Sequence, residues 1–63
     1  MNKQRRKALE EIVDQLQTLL DEEQEAFDNM PEGLQSSEKG DAMQENIDNL
    51  QDAIDTIQNV IDA

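Results

Sequence analysis

Residues Ile47 to Ala63 read IDNLQDA, IDTIQNV, IDA, a seven-residue repeat that sorts apolar, acidic and amide side chains onto separate faces of one helix. Met43, Ile47, Leu50, Ile54, Ile57 and Ile61 follow alternating steps of four and three, the spacing that keeps one apolar stripe against a partner helix. With Ile47 as heptad position a and Leu50 as d, position b holds Asp41, Asp48, Asp55 and Asp62, and position e holds Gln44, Gln51 and Gln58. Position f holds Glu45, Asp52 and Asn59, while the g positions Asn46, Ala53 and Val60 become more apolar toward the C-terminus. A two-stranded coil buries only a and d, so a third, partly apolar position favours a bundle of more than two helices.

Working toward the N-terminus, Leu9, Ile12, Leu16 and Leu19 fall on the same four-three alternation, with Val13, Leu20 and Phe27 widening the stripe on one flank. Glu23 stands on this stripe where a hydrophobe is expected, which places it near a solvated edge. Met30 and Pro31 end the segment, because proline disfavours the helical conformation in the residue before it and has no N–H to donate. Gly33 adds a second breaker, and Ser36 or Ser37 can cap a new helix by accepting from its free amides. Glu38 and Asp41 suit the positive end of that helix dipole.

These signals predict one all-α domain over residues 1–63, with helices over about 3–29 and 37–62 and a loop over about 30–36. A loop this short makes the two helices antiparallel neighbours, so the fold is a helical hairpin. A chain of 63 residues builds a marginal core. It has no cysteine for disulfides, and the absence of histidine argues against structural zinc. Self-association supplies the missing burial, and a dimer of hairpins forming a four-helix bundle is the simplest closed solution. Leu9, Ile12, Leu16, Leu19, Met43, Ile47, Leu50, Ile54, Ile57 and Ile61 are the expected interface residues.

Sixteen acidic residues against five basic ones give a formal net charge of −11, which excludes a generic binder of DNA, RNA or anionic membrane. The basic run Asn2 to Lys7 is followed by Ala8-Leu9 and then at once by Glu10-Glu11, so no leader segment is expected, and no stretch is long enough to span a bilayer. A cytoplasmic location fits these features. Lys3, Arg5, Arg6 and Lys7 form the one basic cluster. In an antiparallel hairpin it would face Asp55, Asp62 and the C-terminal end, each cluster relieving the unfavourable dipole of the other's helix.

Asp41, Glu45, Asp48, Asp52 and Asp55 form an acidic ladder opposite the apolar stripe. Its carboxylates recur roughly every 5 Å along the axis, a loose match to the ~3.4 Å spacing of phosphates on one DNA strand. The ladder therefore reads either as an imitation of nucleic acid directed at a basic protein groove or as a solvated face that keeps the protein soluble. On an amphipathic helix the solvated face is the commoner reading, and the shortage of interleaved lysine, unusual for an exposed helix, is what raises the first.

Other chemistry lacks its components. Asp28 to Lys39 places Gly33 at the sixth position of a calcium-loop frame, but Met30 and Lys39 occupy the third and twelfth, where oxygen ligands are required. Histidine, cysteine, tyrosine and tryptophan are absent, the serines have no base partner, and the Glu-x-x-His motif of bundle metal sites cannot be built. No enzyme activity, cofactor or metal is expected. Phe27, Met30 and Met43 near the hairpin tip are read as core.

The segment EEQEAFDNMPEGLQSSEKGDAMQENIDNLQDAIDTIQ, Glu22 to Gln58, resembles small acidic proteins of bacteriophages and prophages, with AFDNMPEGLQSSEKG as its most characteristic part. The resemblance implies a phage setting and carries no catalytic or binding residue with it. Small acidic proteins in that setting often block a host factor. The expected function is thus non-enzymatic: an inhibitor or modulator that engages a basic host protein, such as a nucleic-acid-binding one, through the acidic face. The alternative is a structural or assembly module acting only by helix–helix oligomerisation.

Overall fold

The computed structural model describes all 63 residues and contains three helices, α1 (Lys3–Asp28), α2 (Glu32–Gln35) and α3 (Glu38–Asp62), with no strand. At α1's start, Asn2 adopts an extended backbone and its side-chain oxygen accepts from the Arg5 N–H at 2.9 Å, satisfying one of the free amides of the first turn. The helix closes at Asn29, whose N–H donates to the Glu25 carbonyl at 3.0 Å. Pro31 then turns the chain out at φ −56°, ψ 145°.

The connection holds a single helical turn where the sequence suggested loop. Leu34 and Gln35 donate their N–H groups to the Pro31 carbonyl at 2.9 and 3.1 Å, and the Gln35 side-chain amide donates to the Phe27 carbonyl at 3.0 Å, tying α2 back onto the end of α1. Gly33 sits inside this turn with no positive φ and open space where a Cβ would be. It is therefore not the chain-reversing breaker that its position suggested. Of the two candidate caps, Ser37 takes the role: its Oγ accepts from the Gly40 N–H at 3.3 Å and donates to the Leu34 carbonyl. Ser36 instead donates to the Glu32 carbonyl at 3.3 Å.

The long helices pack side by side and antiparallel, with the Arg6 guanidinium donating to the Ala63 main-chain oxygen at 3.4 Å across the open end. Leu20, Ile47 and Ile54 form the buried centre of the seam, with Val13, Leu16, Phe27 and Leu50 packed against it, and Ile61 is buried farther toward the open end. On α3 the stripe from Met43 to Ile61 faces α1 as its spacing requires.

On α1 the seam is rotated from its expected position. Leu9, Val13, Leu16, Leu20, Glu23 and Phe27 carry it, whereas Ile12 and Leu19 remain 45% and 53% exposed. Both phases share Leu9 and Leu16, so the choice lies between Val13, Leu20 and Phe27 on one side and Ile12, Leu19 and Ala26 on the other. The first set delivers more apolar volume, and its Phe27 reaches the tip, where Gln35 binds the same residue's carbonyl.

The result is a rod of 48 × 15 × 12 Å with a Cα radius of gyration of 14.6 Å, against about 10.6 Å for a compact chain of this length. There is one layer of two long helices and no further layer to cover either side. That leaves both flanks of the seam available.

Candidate partner-binding flanks

The seam fixes the heptad phase of α1, with Val13, Leu20 and Phe27 at a and Leu9, Leu16 and Glu23 at d. Reversing one helix of a pair brings like flanks together, so in an antiparallel hairpin the e and b positions of both helices lie on one side of the seam and the g and c positions on the other. These two sides differ sharply in chemistry.

On the e/b side, α1 contributes Glu10, Asp14, Asp21 and Asp28, and α3 contributes Asp41, Asp48, Asp55 and Asp62. Five of these carboxylates are held by a glutamine one turn earlier on the same helix. Gln17 donates to Asp21, Gln24 to Asp28 and Gln51 to Asp55, each at 3.0 Å; Gln58 donates to Asp62 at 3.1 Å and Gln44 to Asp48 at 3.2 Å. Each pair contributes about 0.2–0.5 kcal/mol to its helix. The amide engages one carboxylate oxygen, Oδ1, and the other is left to accept from elsewhere. Lys3 and Lys7 are the two cations on this flank, both at the open end.

The five residues of the sequence-predicted ladder, Asp41, Glu45, Asp48, Asp52 and Asp55, are all exposed on α3. Asp41, Asp48 and Asp55 belong to the e/b flank, while Glu45 and Asp52 lie on the back of the helix. The ladder alone understates the site, since α1 adds a second acidic row to the same flank. The signal for it was present as glutamine followed by aspartate at i+4, five times along the chain.

The opposite side is nearly free of acids. Its g positions are Arg5, Ile12, Leu19 and Ala26 on α1 and Lys39, Asn46, Ala53 and Val60 on α3, and Glu22 is the single carboxylate among its g and c positions. Val60 is 43% exposed, joining Ile12 and Leu19 among the large apolar side chains left in solvent. Of the expected interface residues, then, Met43, Ile47, Leu50, Ile54, Ile57, Ile61, Leu9 and Leu16 are taken up within the hairpin seam, and Ile12 and Leu19 are the ones presented outward.

The basic cluster reaches the other helix through Arg6, on the Ala63 main-chain oxygen, and Asp55 and Asp62 accept from Gln51 and Gln58 of their own helix. Glu23 is half-buried on the seam. Two surface recesses occur, both at the open end, one lined by Met1, Thr56, Asn59, Val60 and Ala63 and the other by Lys3, Arg6, Lys7 and Glu10. No group of three or more acidic side chains is gathered to hold a metal ion, and no helix is long and apolar enough to cross a membrane. No protein-family model, curated protein or solved structure matches the chain.

Proposed function

We propose that this is a non-enzymatic binding protein, working as paired hairpins in the cytoplasm, whose acidic flank engages a basic surface on another protein. The observation that carries this reading is the collection of eight carboxylates, four from each helix, on one side of the seam while the other side holds Glu22 alone. A solvated surface needs no such sorting, because scattered charge of both signs serves solubility equally well. The glutamine amides restrict the carboxylates to defined orientations, which lowers the ordering cost of binding. A surface that accepts this flank is rich in lysine and arginine, as nucleic-acid-binding proteins are. In the phage setting implied by the resemblance, the target is a host protein and the outcome is inhibition or modulation by imitation of a phosphate row.

The test uses the tagged protein and a purified basic nucleic-acid-binding protein captured from bacterial lysate, with DNA as competitor. Binding is expected to weaken with rising salt, to be displaced by DNA, and to be lost when Asp21, Asp48 and Asp55 of the flank are together replaced by asparagine with helicity unchanged. Salt-resistant binding that survives the triple substitution would remove the acidic flank from the mechanism.

The exposure of Ile12, Leu19 and Val60 favours a second reading, a structural module that acts through helix–helix association alone. Under that reading the triple aspartate substitution is harmless, and replacing Ile12 and Leu19 by aspartate abolishes function.

A further inference from the structure

We infer that a second copy of this chain docks on the charge-poor flank, with Ile12, Leu19, Ala53 and Val60 of each hairpin at the centre of a two-fold contact. The inference rests on the reading of the protein as a self-associating hairpin and specifies where the association occurs. It does not involve the seam residues, which α1 and α3 already use against each other.

Three observations identify the surface and its occupant. The first is charge. Two chains of formal charge −11 repel, and contact through the e/b flanks would set two rows of carboxylates against two more. The g/c flank carries Glu22 against Arg5 and Lys39, so it is the side on which two such chains can approach without that penalty. An isologous contact there also turns both acidic flanks outward, away from each other.

The second is the distribution of exposed apolar side chains. Ile12 and Leu19 lie one heptad apart on α1, and Ala53 and Val60 one heptad apart on α3; like flanks meet in an antiparallel pair, so all four border the same side of the seam. Bulky residues on one helix beside smaller ones on the other give a stepped surface that a second copy can fill by interdigitation.

The third is area. The chain exposes 4762 Å², whereas a compact monomer of 7.2 kDa exposes about 4,100 Å². The excess, roughly 600 Å², approaches the ~800 Å² per partner that a standard stable interface buries. Covering one whole side of a two-helix rod with an equal rod removes area on this scale and produces a four-helix bundle.

Sedimentation equilibrium on the intact protein tests the proposal, with circular dichroism as the check on folding. The expected mass is about twice 7.2 kDa, and it is expected to fall to the single-chain value in the double variant Ile12→Asp, Leu19→Asp, with helicity retained at the lowest concentration measured. Val60→Glu, a milder change on the other helix, is expected to weaken the dimer at least tenfold. Asp48→Asn with Asp55→Asn is expected to leave it intact or tighter. A wild-type chain that stays single at all concentrations overturns self-association itself. A dimer that persists in both apolar-flank variants overturns this surface while leaving self-association standing. Neither outcome touches the acidic flank, whose own test is binding to a basic protein.

Discussion

Gly40 of α3 lies so close to the Gln35 main-chain carbonyl that a Cβ at position 40 would fall on its oxygen, with the Leu34 oxygen only 2.6 Å away. Gly40 is also the one buried residue of the chain that is not an aliphatic side chain. The short helix α2 therefore sits directly on the backbone of α3, and glycine is what makes the hairpin tip this tight.

The two glycines respond oppositely to the same change. Gly40→Ala forces main-chain atoms apart and is expected to destabilise the hairpin by about 1–3 kcal/mol. Gly33→Ala meets open space in a helical conformation and is expected to stabilise by about 0.4–1 kcal/mol, by restricting the unfolded chain. Urea melts followed by circular dichroism distinguish them, and equal midpoints would contradict the packing of α2 on α3.

Neighbouring leucines separate the seam from the flank. Leu20→Ala removes one of four buried apolar side chains and is expected to cost about 2–4 kcal/mol at any protein concentration. Leu19→Ala, at a side chain 53% exposed, is expected to cost little in dilute protein and progressively more as concentration rises and copies pair. Thermal melts over a concentration series give the comparison; a concentration-independent loss at Leu19 would place it in the seam.

Capping provides a third pair. Ser37→Ala is expected to cost about 1 kcal/mol by freeing the Gly40 amide, whereas Ser36→Ala, whose hydroxyl is bonded to the Glu32 carbonyl, is expected to change stability by less than half of that. Amide exchange in the first turn of α3 reads the loss directly.

The glutamines are predicted to act as a set. Replacing Gln17, Gln24, Gln44, Gln51 and Gln58 by alanine removes five side-chain hydrogen bonds worth about 1–2.5 kcal/mol together, offset in part by alanine's better helix propensity. Stability is thus expected to change little, while binding to a basic partner weakens because the carboxylates lose their fixed orientation. Parallel melts and titrations separate the two effects; unchanged affinity would show that the amides orient nothing of consequence.

The outline of this molecule was legible wherever a pattern persisted. Six apolar residues in unbroken four-three spacing defined α3 and its buried face. Pro31 marked the break and the Ser36-Ser37 pair the restart, each by an effect confined to its immediate neighbours, and the structure chose Ser37 of the pair. The phase of α1 was harder because Leu9 and Leu16 belong to both candidate stripes, and only packing against α3 and the tip separates Leu20 from Leu19. Gly40 gave no local sign of its role, since a glycine in the first turn of a helix is understood only when Gln35 is found lying across it. The acidic flank was half visible: the α3 row showed in the repeat, but joining it to Asp14, Asp21 and Asp28 required the α1 phase.

Uneven sorting of carboxylates between the two sides of the seam also acts before anything touches. The centre of negative charge is displaced sideways from the rod's long axis, giving the molecule a transverse electrical moment. Within a screening distance of about 8 Å, a cation-rich surface exerts a torque that spins the rod about that axis until the acidic side leads. Rotational search is then partly done by the field, and productive collisions become a larger share of all encounters.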